Sequence, residues 1–95
     1  MTRALVFGRS PSPVTLRPDA TLVPVVDAAK SVSKTHAIVD VDGAGLAVTD
    51  LHSTNGVSVT HPDGSRDDLE PGGRAALPDG CTLRLGEFAI DVRCA

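Results

Sequence analysis

The sequence predicts an all-β domain, and three observations predict it. Apolar and polar residues alternate along the clearest segments, as at Val57 and Val59 and again at Phe88, Ile90 and Val92, which is the period of a half-buried strand. Clusters of Gly, Pro, Asn and Asp punctuate the chain at short intervals, as turns between strands require. No stretch of ten residues sustains a helical apolar stripe.

Taken in order, residues 4–7 form a short apolar run that Gly8 ends, delivering Arg9 to a loop. Ser10-Pro11-Ser12-Pro13 is a stiff turn, and residues 14–17 read as a brief extended piece. Residues 21–26 are β-branched and apolar, but Pro24 lacks a ladder donor, which predicts an edge or irregular strand. Residues 27–31 form a polar loop carrying Lys30 and Ser31. Residues 35–41 are apolar on both faces except at Asp40, the pattern of a central strand. Asp42-Gly43-Ala44-Gly45 is a hairpin connection, and residues 46–50 return from it.

Val57 and Val59 alternate with Ser58 and Thr60, which predicts a half-exposed strand, and His61-Pro62-Asp63-Gly64 is the turn after it. Residues 66–70 are charged, as suits an exposed edge. Pro71-Gly72-Gly73 breaks that run, residues 75–77 form a short strand, and Pro78-Asp79-Gly80 ends it. Leu83 and Leu85 share one face of residues 82–85; Gly86 and Glu87 turn the chain; Phe88, Ile90, Val92 and Cys94 alternate with Ala89, Asp91 and Arg93.

Composition narrows the function classes. Ninety-five residues make a single domain, residues 1–95, able to bury a core without staples but with little to spare. Two Phe and no Trp or Tyr make that core aliphatic. A net charge of −3 argues against a nucleic-acid partner, and the lack of stacking aromatics argues against single-strand binding. Any anion recognition is therefore local. Cys81 and Cys94 are too few for a disulfide framework or a zinc site and read as buried thiols in a reducing compartment. His52 and His61 have no Cys, Asp or Glu at metal-ligand spacing on a shared element, so no metal and no cofactor is expected. With no signal peptide or membrane span in the sequence, the expectation is a cytoplasmic domain, free or within a longer membrane protein, with no direct membrane contact.

Residues 32–56 hold the chemistry. VSKTHAIV (residues 32–39) sets Ser33, Lys34 and His36 ahead of an apolar strand, and DLHSTNG (residues 50–56) places Ser53, Thr54, Asn55 and Gly56 in a second loop. A hydroxyl and an ammonium can face an anion together, and Arg9 adds a guanidinium from upstream. The Asn55 amide offers donors and an acceptor in one plane, which suits a peptide backbone, while Gly56 allows a positive φ.

Gly8-Arg9, then Ser33-Lys34-Thr35-His36, then Ser53-Thr54-Asn55-Gly56 resemble, in that order and spacing, the signature of forkhead-associated (FHA) domains. The similarity runs from about Leu5 to the C-terminus. It implies an FHA-like β-sandwich of mostly antiparallel strands that binds phosphothreonine peptides, with a Ser/Thr kinase upstream. Carried over residue by residue, it assigns the phosphopeptide to Arg9, Ser33, Lys34, Thr54 and Asn55, and structural support of the site to Gly8, His36, Ser53 and Gly56. Thr54 would donate through its hydroxyl or its amide. Lys34 stands where many relatives carry Arg, which keeps the charge and loses the fork.

One departure stands out: FHA sandwiches usually have two strands before the Gly-Arg strand, and only seven residues precede Gly8. The expectation is an uncovered sheet edge and apolar face, completed by a longer chain or by a second copy in a homodimer. The SVSKTH, STNGV and HPDG wording looks most like FHA domains at the C-terminal end of actinobacterial membrane proteins of the RDD type. Two rival functions share the residues. One is a phospho-independent interaction or self-association module on the same fold. The other is a hydrolase built on Ser33, His36 and Asp50, which lacks any nucleophile-elbow or oxyanion-loop signature.

Overall fold

A computed structural model describes residues 4–12, 20–26, 32–42 and 45–92. Every regular element among them is a strand: β1 (Ala4–Gly8), β2 (Thr21–Pro24), β3 (Ala37–Asp42), β4 (Gly45–Asp50), β5 (Val57–Thr60), β6 (Arg66–Asp68), β7 (Arg74–Leu77), β8 (Thr82–Leu85) and β9 (Phe88–Asp91). Among the described residues no helix is long and apolar enough to cross a membrane. The strands form two sheets, in the orders β2-β1-β3-β4-β7 and β6-β5-β8-β9. All pairings are antiparallel except β1 with β2, so the all-β sandwich of mostly antiparallel strands is what the chain adopts.

The alternation read in the sequence decides which side chains enter the core. Ala37, Val39 and Val48 of the first sheet meet Val57, Val59, Leu83 and Leu85 of the second, with Val25, Val32, Leu77, Cys81 and Val92 closing the cluster. Cys81 is buried and in no disulfide among the described residues, and Cys94 lies outside them. Because β3 is apolar on both faces, it supports a second cluster behind the first sheet, where Ala4, Val6 and Ile38 pack with Ala20 and Leu51. Central position follows from that double burial. On the same outer face, Arg74 reaches across β4 to Asp40 at 3.0 Å and to Thr49 Oγ1 at 3.2 Å.

One expectation needs amending. β5 is not half-exposed: Val57, Ser58 and Val59 are all buried, because β6 and β8 flank it on both edges. His61, partly exposed, bonds Asp67 at 2.8 Å across the β5–β6 hairpin, a partner that turn geometry supplies and linear spacing hides. The Gly-Arg strand lies between β2 and β3. β2, an edge strand as Pro24 requires, carries Leu22 at 38% exposure; Leu5, on the core-facing side of β1, is exposed to the same extent. The extended piece expected at residues 14–17 and the loop at residues 27–31 lie outside the described residues.

At the β5–β6 turn the Ser65 hydroxyl and amide both donate to Asp63, at 2.7 and 2.9 Å. Those bonds hold its carboxyl below the ordinary value of 3.8. A carboxylate depressed in this way stabilises the turn at neutral pH, and that contribution is lost as pH falls through the lowered value. An NMR titration should show the Asp63 carboxyl titrating below 3.8 in the wild type and nearer the ordinary value in Ser65→Ala. For the core, Leu85→Ala removes a fully buried side chain and should cost about 2–5 kcal/mol. Urea unfolding followed by circular dichroism should show that loss, with Leu5→Ala costing much less.

Candidate functional site

Three loops meet at one end of the sandwich: the one after β1, the one before β3 and the one between β4 and β5. Backbone bonds lace the first two together. The Arg9 amide donates to the Ser33 carbonyl at 3.0 Å, and the Ser10 amide to the Lys34 carbonyl at 3.1 Å. The Ser12 amide adds a bond to Thr35 Oγ1 at 3.2 Å. This approach is close enough to exclude a side chain at Gly8, where a Cβ would lie 2.1 Å from the Lys34 carbonyl oxygen. Glycine is required there for lack of space, and its role is to let the Arg9 loop lie against the Ser33 loop.

Buried His36 ties the second loop to the third. Its side chain is fully enclosed; Nδ1 accepts the Ser33 amide at 3.0 Å and Nε2 bonds the Gly56 carbonyl at 2.7 Å. An acceptor at Nδ1 and a carbonyl at Nε2 require the neutral tautomer with its hydrogen on Nε2. Gly56 turns with φ +80°, a conformation costly for other residues, and its carbonyl also accepts the Gly86 amide at 3.0 Å. The third loop is braced from within by Asp50. That carboxylate, 2% exposed, accepts both the amide and the hydroxyl of Ser53 through one oxygen, while the Asp50 amide donates to the Gly73 carbonyl at 2.9 Å.

Ser33 is the hub. Its carbonyl takes Arg9, its amide goes to His36, and its Oγ accepts the Thr54 amide at 2.9 Å. A hydroxyl that accepts one bond still has its hydrogen to donate outward. The Thr54 amide is committed to Ser33, so the Thr54 hydroxyl is the group left to face a ligand. Arg9, Lys34, Thr54 and Asn55 are all exposed. No described residue is recorded as bonding the Arg9 guanidinium or the Lys34 ammonium. The loops thus present two cations and two hydroxyls at one end of a chain of net negative charge, an arrangement suited to a doubly charged oxyanion.

All the residues expected to bind or support the site therefore gather here. Asp50 was the one sequence reasoning passed over as a support, although an Asp three residues before a Ser is the signal of a side chain bonding its own loop. The hydrolase arrangement does not form. His36 faces the Ser33 amide rather than its hydroxyl, and Asp50 bonds Ser53 rather than His36. Among the described residues no group of three or more His, Cys, Asp or Glu can hold a metal ion.

A family model for the FHA domain matches residues 5–86. Among solved structures, the chain is similar to one described as "Structural and functional analysis of phosphothreonine-dependent FHA domain interactions". The two share 28% identity with a TM-score of 0.65, over 97% of this chain and 77% of that one. It is also similar to the solution structure of the FHA domain of an Arabidopsis thaliana hypothetical protein, at 22% identity and a TM-score of 0.59, over 97% of this chain and 70% of that one. No curated protein sequence matches significantly.

Two substitutions test the lacing. His36→Ala leaves the Ser33 amide unpaired and opens a cavity, and should cost on the order of 3 kcal/mol in urea unfolding. Gly8→Ala should force the first two loops apart, with a penalty of about 1–3 kcal/mol. Faster amide hydrogen exchange at Arg9 and Ser10 would locate that damage; unchanged exchange there would show that the close approach is not needed.

Proposed function

This chain belongs to the FHA domain family, and from that premise we propose that it reads phosphothreonine peptides written by a Ser/Thr kinase. FHA domains are interaction modules rather than enzymes, and phosphothreonine-peptide recognition is their general activity. The observation that carries the reading for this chain is the pair of bonds at Ser33. Through its carbonyl to Arg9 and its Oγ to Thr54, it draws a guanidinium and two hydroxyls to one end of the sandwich.

A phosphothreonine brings about −1.5 to −2 charges and three acceptor oxygens. The Arg9 fork meets two of those oxygens, the Ser33 hydroxyl donates to one, and the Thr54 hydroxyl to another. Lys34 raises the local potential and reaches the phosphate or the peptide backbone as a point charge. Asn55 holds the main chain beside the phosphoresidue and gives orientation without reading sequence. The supports are pre-set, so binding orders little of the protein and the entropy cost falls on the peptide. Hydrogen bonds to charged groups contribute about 1.5–3 kcal/mol each, and ordering the peptide offsets several kcal/mol. The balance is a dissociation constant on the order of 1 μM.

The reading places the chain in the cytoplasm, as a free domain or as part of a longer membrane protein, with a phosphorylated protein as partner and neither nucleic acid nor bilayer in contact. Fluorescence polarisation with labelled phosphothreonine, phosphoserine and unphosphorylated peptides tests it. Binding near 1 μM should be confined to phosphothreonine, weaken with salt, and fall at least tenfold in Arg9→Ala. Binding that survives phosphatase treatment would replace this reading with the phospho-independent module. Solution mass is measured on the same sample, because β2 and β9 end their sheets and a second copy adding a strand there would register as a dimer.

A further inference from the structure

Among the described residues the exposed large apolar side chains are Leu5, Leu22 and Val26, the last at 94%. All three lie on β1, on β2 or just after it. Scattered exposed apolar residues are ordinary, but a group confined to one side of a small domain marks a contact surface. The two sheets end unevenly on that side. β6 and β7 are joined by the short turn at residues 69–73 and line one depression together, so their edges adjoin and the opposite edges, β2 and β9, share the other side. Counted from the β6–β7 side, β9 is the fourth and last strand of its sheet and faces β1, which leaves β2 with no strand across from it. Burial records the gap. Phe7, Phe88 and Ile90 pack against the main core yet are only half-buried, as is Val23 beside Phe7, and Leu5 is exposed.

Each open edge has a definite hydrogen-bond phase. The Val25 amide donates to the Gly8 carbonyl at 2.8 Å, so alternate residues of β2 face β1, and Leu22 and Pro24 turn their backbone groups to the open side. The Val92 amide donates to the Cys81 carbonyl at 2.9 Å, so Ala89 and Asp91 do the same on β9. The two edges also run in opposite directions. β2 ends at the binding end, where Pro24 lies beside Gly8, and β9 begins there, because Phe88 lies beside Leu85 and Leu85 beside Val57.

We propose that a second copy of this chain fills the open side, through a two-fold rotation about an axis along the strands, with β9 of each protomer pairing antiparallel to β2 of its partner. The rotation lays each overhanging β1–β2 face over the other, and each continuous sheet then joins four strands of one protomer to five of the other. Offset sheets are self-complementary in this way. Setting Ala89 opposite Leu22 of the partner subunit matches the outward backbone groups, and places Phe88 beside the partner's Val23 and Ile90 beside the partner's Thr21 on the core side. Pro24, which has no amide to give, then falls beyond the ladder, whereas a shift of two residues would set it opposite Ala89 and lose a bond. No charged residue of β2 opposes Asp91. Pairing β9 with its own copy is excluded by the overhang, because both β2 strands would then compete for the space under the joined edge. The two binding ends point the same way, since rotation about the strand direction leaves that direction unchanged. This inference goes beyond the phosphopeptide reading and does not depend on it.

The experiment is sedimentation equilibrium of the 95-residue chain from about 1 μM to about 1 mM, beside Leu22→Lys and Ala89→Pro, each verified as folded by circular dichroism. Both positions are exposed, and the Ala89 amide takes no part in the β8 ladder, so neither change should unfold the monomer. The wild type should pass from one chain mass to two as concentration rises. Each variant should need about tenfold more protein to do so, because each change acts at both ladders. Hydrogen exchange reads the register: the outward amides of Leu22 and Ala89 should be protected in concentrated wild type and lose that protection on dilution. A wild type that stays monomeric throughout overturns the proposal. So does a dimer that both variants leave unchanged, or one in which the Leu22 and Ala89 amides exchange freely, since either outcome puts the contact elsewhere on the chain.

Discussion

The enclosed imidazole of His36 is the interaction on which the binding end depends. It sits where β3 begins, accepts a hydrogen bond from the Ser33 loop and donates one to the Asn55–Gly56 loop. A buried polar ring is tolerated only when its nitrogens are matched, and here the matching partners are backbone groups of two different loops. Satisfying the ring therefore fixes the separation of those loops. The chemistry of this sandwich end, in physical terms, is a set of hydrogen bonds to the backbone that hold exposed side chains in place.

The strands supply the reason that these loops converge at all. β1 and β3 are antiparallel neighbours, so the end of one and the start of the other lie side by side, and Arg9 emerges next to Ser33. β3 and β4 are likewise paired along their whole length, which returns the chain from Asp50 into the third loop beside His36. Double-sided burial of β3, with one apolar cluster in front and a second behind, keeps this arrangement from sliding, since a one-residue slip would turn Asp40 from its place beside Arg74 on the outer face into the main core. The site is rigid because its strands cannot change register.

Electrostatics at this end are local and polarised. Arg9 and Lys34 stand on the loops nearest Ser33, while the hairpin beyond Asn55 carries Asp67, Asp68 and Arg66 on an exposed edge strand. His61 and Arg66 each hold one of those carboxylates, so the edge retains the charge that discourages pairing with other chains without opposing an incoming anion at full strength. Net charge argues against a broad nucleic-acid surface but leaves room for a compact anion site, and the two are compatible because screening confines each exposed charge to its neighbourhood.

The sequence by itself determined the all-β class, most strand positions and the return of β4 alongside β3, and it marked the residues that gather at the His36 end. Period-2 alternation, Gly and Pro punctuation and three ordered motifs are local signals, and each can be read within a few residues. It also showed that β3 is central, because apolar residues on both faces have no other use. Only the tertiary structure decided what depends on neighbours: that Ser58 is buried between two strands, that His61 finds Asp67 across a turn, and that the Thr54 amide is taken by Ser33. It likewise decided that Gly8 is required for close approach rather than for backbone freedom, and that Asp50 braces the loop it precedes. Burial and hydrogen-bond partnership are properties of pairs of segments distant in the chain, so no single stretch of sequence contains them.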